Sequence, residues 1–249
     1  MDLQGRGAFV TGGSGDLGTA ICVALARAGC DIALGYVGNV DGARRTTKRV
    51  EELGRRACAI QLDQTDPSRV DSAVDEAARA LGRLDVLVNN AAWNIGVPFP
   101  ELDKITTEVW DRTFNTNVRG PFQLARAAAV HMKRSGGGRI VNIASVAGLR
   151  PTGSSIAYGA SKAALIHLTR GLAVALAPSI TVNCVAPGLI EGTRMAQRLP
   201  QAVVDNARAS VVLGRSSSME DIAEQVVTFC RADSVTGQLL VIDGGAHFH

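Results

Sequence analysis

Tyr158 and Lys162 stand four residues apart in Tyr158-Gly159-Ala160-Ser161-Lys162. On a helix, residues i and i+4 share a face, so this phenol and ammonium point into one cleft. A free phenol titrates near ~10, and each unit of depression is worth about 1.4 kcal/mol of preference for the phenolate. A neighbouring ammonium and burial away from competing water are the expected means of lowering it. Such a phenol serves as base towards an alcohol and as acid towards a carbonyl oxygen. Ser145 ends the apolar run Ile140–Ala144, thirteen residues before Tyr158. A hydroxyl at the carboxyl end of a strand is aimed at the cleft, where it can hold a substrate oxygen. Asn117 lies in Asn115-Thr116-Asn117, inside a long helical pattern. It is read either as an ordinary buried amide or as a residue that bends the helix or holds a relay water near Lys162.

A second cluster opens the chain. Val10-Thr11-Gly12-Gly13-Ser14-Gly15-Asp16-Leu17-Gly18 follows a strand-like run and starts a helical pattern. Glycines there let the backbone turn tightly and let a pyrophosphate approach the helix N-terminus, whose free N–H groups and dipole favour anions. Gly12, Ser14, Asp16, Leu17 and Gly18 are the expected contacts. The acid at 16 would repel a pyrophosphate unless it points away or is neutralised by the helix start. It can also cap that helix.

These residues need a frame. Runs rich in Val, Ile and Leu at Gly7–Thr11, Asp31–Tyr36, Ala57–Leu62, Leu84–Asn89, Gly138–Ser145, Ser179–Val185 and Gly237–Ile242 read as strands covered on both faces. Helical patterns lie between them at Leu17–Ala28, Asp41–Leu53, Pro67–Leu81, Thr106–Arg134, Ala157–Ala177 and Met219–Ala232. Thr65-Asp66-Pro67 and Ser218 with Asp221 are start signals; Gly29, Gly54 and Gly82 are stops. The alternation predicts an α/β fold: a doubly wound, seven-stranded parallel sheet with helices on both faces. A single domain over 1–249 is expected, with a small substrate lid at about 189–213. Such a sheet binds its ligand beyond the strand carboxyl ends, where the order switches.

Composition excludes other classes. A net charge of +3 and 4% aromatic residues argue against nucleic acid. Five cysteines with no CxxC pair read as free thiols, and no metal site is expected. The polar start and the lack of an apolar run of about 18 residues predict no signal peptide, no membrane span and a cytoplasmic protein.

The glycine loop, the Asn117–Ser145–Tyr158–Lys162 order and Asn89-Asn90-Ala91-Ala92 together resemble the short-chain dehydrogenase/reductase family across essentially the whole chain. That family's loop reads TGxxxGxG, and its fourth strand ends in NNAG. Here position 16 is Asp and position 92 is Ala. The resemblance implies a nicotinamide-dependent oxidoreductase with Asn117, Ser145, Tyr158 and Lys162 as its catalytic tetrad. Lys162 would hold the nicotinamide ribose and, with the ring's positive charge, lower the Tyr158 pKa. Asp63, with Gln64 beside it, would meet the adenine. Asn90, Ala91 and Ala92 would approach the adenosine ribose. Pro187, Gly188, Ile190 and Thr193 would line the nicotinamide pocket. Tyr36 stands where NAD-dependent relatives carry an acid, while Val37 and Gly15 stand where NADP-dependent ones carry basic residues. NAD is expected over NADP.

The substrate-side segments are largely apolar: Trp93, Ile95, Val97, Leu149, Leu189, Met195 and Leu199, with Arg150 and Arg194 nearby. A small apolar or aromatic secondary alcohol or ketone, bound by Ser145, Trp93, Leu149 and Leu189, is the expected substrate. An NADPH-dependent 3-oxoacyl thioester reductase is the alternative within this chemistry; a non-catalytic dinucleotide-binding sensor is the alternative outside it. The two long helical patterns carry more apolar surface than one sheet face covers, and the family buries such surface in a homotetramer.

Overall fold

The computed structural model describes residues 1–193, 196–198 and 201–248. Seven strands form one parallel sheet: β1 (Gly7–Val10), β2 (Asp31–Tyr36), β3 (Ala57–Gln61), β4 (Val86–Asn89), β5 (Gly138–Ile143), β6 (Ile180–Pro187) and β7 (Leu239–Ile242). Their order is β3-β2-β1-β4-β5-β6-β7. The chain winds outward from β1 to β3, then returns to place β4 on the other side of β1. The switch point therefore lies between β1 and β4, and the glycine loop and Asn89–Ala92 leave the sheet on either side of it. The expected doubly wound sheet is the one observed.

Alternate side chains of each strand enter different cores. Val10, Leu34 and Val88 pack with helices α1 (Asp16–Arg27), α2 (Val40–Glu51) and α8 (Met219–Arg231). Phe9, Ala33 and Leu87 pack with α3 (Pro67–Leu81), α5 (Gly120–Arg134) and α6 (Ile156–Leu176) on the other face. Burying both faces explains why these strands read as continuous apolar runs. The predicted helix ends also have their physical basis. Asp66 accepts from Ser68 N–H with Pro67 in the first turn, Ser218 accepts from Asp221 N–H, and Gly82 closes α3 with φ +76°.

Two elements differ from expectation. The pattern at 106–134 is not one helix but α4 (Thr107–Phe114), a π-helical turn at Asn115–Arg119, and α5. A 3.6-residue periodicity does not register one inserted residue, which is all a π turn needs. Within the expected lid, a short helix α7 (Gln201–Ala209) lacked any start signal in the sequence. Arg194, Met195 and Leu199 lie outside the described residues. Among the described residues, no helix is long and apolar enough to cross a membrane.

Candidate active site

The site collects at the carboxyl ends of β1, β4, β5 and β6. At β1, Thr11 stitches the glycine loop to β4: its Oγ1 accepts from Asn90 and Ala91 N–H at 3.1 and 3.0 Å. Asn90 Nδ2 donates back to the Thr11 and Gly12 carbonyls at 2.9 and 3.3 Å. The Asn90 side chain is thus a clamp on the loop. Gly12 takes φ +65°, a left-handed conformation that favours glycine. A Cβ on Gly18 would stand 2.1 Å from the Gly12 carbonyl oxygen, so α1 is pressed against its own loop. The first intrahelical bond runs from Thr19 N–H to Gly15 O, leaving the N–H groups of the preceding turn without intrahelical acceptors. A backbone cradle of glycines at a helix start fits a pyrophosphate.

Asp16 is not the cap of α1. Gly15 holds the N-cap position and Asp16 is the first helical residue, where the dipole stabilises a carboxylate. Asp63 is exposed and accepts from Thr65 N–H and Oγ1 at 2.9 and 2.7 Å, making a local turn. Gln64 is buried, and its Nε2 donates to the Thr116 and Ala91 carbonyls at 2.6 and 3.3 Å. It ties the π turn to the end of β4. Tyr36 ends β2 half-buried, followed by exposed Val37, while Ala92 is exposed beyond β4.

Asn117 is fully committed. Its Oδ1 accepts from Trp93 N–H at 2.8 Å, and its Nδ2 donates to Trp93 O at 2.9 Å and to Ser161 Oγ at 3.0 Å. Ser161 in turn donates to Tyr158 O at 2.7 Å. The Asn117 side chain acts as a fastener. The π turn turns its side chain onto two distant segments, and Asn117 joins the loop after β4 to the start of α6. Ser161 was not singled out in the sequence; only its partner 44 positions away reveals it.

Ser145 leaves β5, accepts from Ala147 N–H at 3.2 Å, and lies near enough to the Tyr158 hydroxyl to favour the phenolate. Ser155 caps α6 by accepting from Tyr158 N–H, which fixes the phenol's starting point. Lys162 is 2% exposed, donates to Ile143 O at 2.8 Å and lies 5.6 Å from the Tyr158 ring centroid. Burial pushes the Tyr158 phenol up to about 12, with the Ser145 hydrogen bond acting the other way. This corrects the expectation that burial helps the phenolate: removing water penalises the charged form first. The same burial pushes Lys162 down to about 8.

The lysine shift has a sign that can be measured. Below pH 8 both folded and unfolded chains hold the Lys162 proton, and the cost of burying it is complete. Between 8 and the ordinary 10.5 only the unfolded chain holds it, so stability rises with pH across that window, by about 3 kcal/mol in all. Lys162→Met lacks this rise. Denaturant unfolding of both proteins at pH 7 and pH 10 should show the variant losing ground by that order. Parallel curves would contradict a buried ammonium.

The substrate side is less apolar than expected. The Arg112 guanidinium lies 4.7 Å from the Trp93 ring centroid. Leu149 packs against Ala144, Leu165 and Ile166, and Leu189 is half-buried after β6. Val97 N–H donates to Ser154 O at 2.8 Å, joining the two loops beside Tyr158. Beyond β6, Pro187 ends the strand, Gly188 N–H donates to Ile242 O, and Ile190 bridges to Ser217. Thr193 turns its hydroxyl inward: it donates to Ile190 O at 2.9 Å and accepts from Ala196 N–H. Burial pushes all five thiols up, so no thiolate competes in this chemistry at neutral pH.

Known proteins resemble this chain in sequence and fold. A family model described as short chain dehydrogenase matches residues 6–203. The 3-oxoacyl-(acyl-carrier-protein) reductase FabG of Thermotoga maritima is 34% identical, covering 98% of this chain and 99% of that protein. A short chain dehydrogenase from Burkholderia cenocepacia, solved in complex with NADP, superposes with a TM-score of 0.90 at 40% identity over 99% of both chains. An NAD+-bound xylitol dehydrogenase superposes at 0.92 with 31% identity, over 98% of this chain and 100% of that one. The chain belongs to the short-chain dehydrogenase/reductase family of nicotinamide-dependent oxidoreductases.

Proposed function

We propose that the protein interconverts a small apolar or aromatic secondary alcohol and its ketone, with Asn117, Ser145, Tyr158 and Lys162 as its working tetrad. The observation that carries this reading is the buried Tyr158 phenol, acted on by Ser145 from the end of β5, with Lys162 Nζ 5.6 Å from its ring centroid and 2% exposed. The bound nicotinamide supplies or takes the hydride. Ser145 and Tyr158 hold the substrate oxygen between two hydroxyls. In reduction Tyr158 gives that oxygen its proton; in oxidation Tyr158 takes it back. The Lys162 ammonium stabilises the transient phenolate and has two N–H groups beyond the Ile143 bond for ribose hydroxyls. Asn117 keeps Trp93 and the start of α6 in place around this pair. Gly12, Ser14, Leu17 and Gly18 would hold the pyrophosphate, and Pro187, Gly188 and Ile190 the nicotinamide side. Trp93, Leu149 and Leu189 would line the substrate pocket, with Arg112 adding charge at its Trp93 wall.

The test is a panel of secondary alcohols and ketones, followed by cofactor absorbance. Cofactor binding without any turnover would sink the proposal in favour of a dinucleotide sensor.

NAD is the proposed cofactor, because Gly15 and Val37 provide no guanidinium for the extra phosphate of NADP. Fluorescence titration should show NADH binding about tenfold tighter than NADPH, a 1.4 kcal/mol difference. The reverse order would support the second reading, an NADPH-dependent 3-oxoacyl thioester reductase. That reading is favoured by Arg45, which shares a groove with Ser14 and Gly42, and by the likeness to the Thermotoga reductase. Exposed Phe122 and Val130 on α5 and Val174 on α6 support a homotetramer, which sedimentation equilibrium would check.

A further inference from the structure

The sheet face beneath α5 and α6 is apolar except along one row. Asn89, Asn142 and Cys184 are register partners on β4, β5 and β6, so their side chains share that face. Leu87, Ile140 and Val182 precede them on it. Asn89 Nδ2 donates to Asn142 Oδ1 at 2.8 Å. Asn142 Nδ2 donates to Thr169 Oγ1 on α6 at 2.9 Å, and Thr169 Oγ1 donates to Leu165 O at 2.9 Å. Asn142 and Cys184 are fully buried and Thr169 is 1% exposed. Buried amides are costlier than apolar groups of the same shape, so their gain here is fixed geometry.

That geometry ends at Lys162. Lys162 and Thr169 lie seven residues apart, on one face of α6. Asn142 and Ile143 are neighbours on β5. The Asn142–Thr169 bond and the Lys162–Ile143 bond therefore fasten the same strand to the same helix two turns apart. A slip at the first moves the second. Resting on the proton-transfer reading above, we propose that Asn142 and Thr169 are positioning residues for Lys162, clamping the end of β5 to α6 so that the Ile143 carbonyl meets the ammonium. The ionisable groups around Lys162 are Tyr158 on its own helix and Cys184 on β6, which Arg170 also influences. No carboxylate acts on Lys162 among the described residues. The carbonyl and this polar row are what support the charge.

Thr169→Val keeps the shape and removes the hydroxyl; Thr169→Ser keeps the hydroxyl. The first measurement is the ¹³Cε NMR titration of Lys162 in the protein alone, assigned with Lys162→Arg. With its carbonyl displaced, the ammonium is less stabilised, so Thr169→Val should lower the midpoint by about one pH unit and Thr169→Ser should restore it. In turnover, kcat of Thr169→Val should fall about tenfold at neutral pH with KM little changed, and the acidic limb of alcohol oxidation should move to higher pH. A Thr169→Val protein that melts lower but keeps the wild-type midpoint overturns the proposal and leaves the row as packing. If Thr169→Val does not fold, Asn142→Ala is read by the same criteria. A wild type without turnover on any alcohol or ketone defeats the functional reading alone; the Lys162 midpoint still decides for or against the row.

Discussion

Tyr158→Phe should abolish turnover while leaving NADH binding within about twofold of wild type. The substitution removes one oxygen and keeps the ring, so packing against Gly153 is retained. Proton transfer by a positioned side chain contributes about 10²–10⁴-fold. The lost phenol hydroxyl adds to that, because the substrate oxygen then has one holder instead of two. Stability should change little or rise, since a buried hydroxyl leaves the core. The measurement is kcat for a secondary alcohol beside the NADH dissociation constant of the same preparation. Turnover above about one per cent of wild type would remove Tyr158 from the proton path. The pH profile belongs with it. The phenol in the protein alone is pushed up to about 12, so the unloaded site is not a base near neutrality. The Lys162 ammonium and the charge that a bound nicotinamide would add are the expected means of bringing it into range, and the oxidation rate should rise with pH through the loaded-state value.

Gly18→Ala should weaken NADH binding by on the order of a hundredfold. A Cβ at this position meets the Gly12 carbonyl oxygen at 2.1 Å, its carbon at 2.8 Å and Asn90 Nδ2 at 2.9 Å. Two of these are backbone atoms, and the third belongs to the clamp that holds the loop, so the loop itself must move. Hydrogen bonds to a charged group are worth about 1.5–3 kcal/mol each. Losing one of them corresponds to about 10- to 10²-fold in affinity. Gly15→Ala is the control. Its Cβ meets only the Gly12 oxygen, at 3.4 Å, an ordinary contact. Calorimetric titration of both variants decides the point: equal losses would show that any side chain in this loop is harmful, and that the close approach at Gly18 is not the cause.

Seven strands, five of the six expected helices and the Tyr158–Lys162 face were legible in the sequence because each depends on neighbours within a turn or a strand. Continuous Val, Ile and Leu runs already report that a strand is covered on both faces, and i,i+4 spacing is a property of any helix. Gly29, Gly54 and Gly82 ended helices as expected for the same reason: the left-handed turn they make is local.

The remaining features depended on partners far away in the chain. Asn117 became a fastener only when the π turn brought it to Trp93 and Ser161, 24 and 44 positions away. Gln64 clamps Thr116, and Thr193 satisfies its hydroxyl on Ile190, neither of which spacing could show. The Tyr158 pKa direction changed sign for the same reason. A sequence shows the ammonium four residues on, but not the absence of water around the phenol, and in a low-dielectric site desolvation is the largest influence on it. The sequence alone singled out the candidate groups for the chemistry and the elements that carry them. The tertiary structure decided how each is held and charged, because burial and long-range hydrogen bonds exist only once the sheet has closed over them.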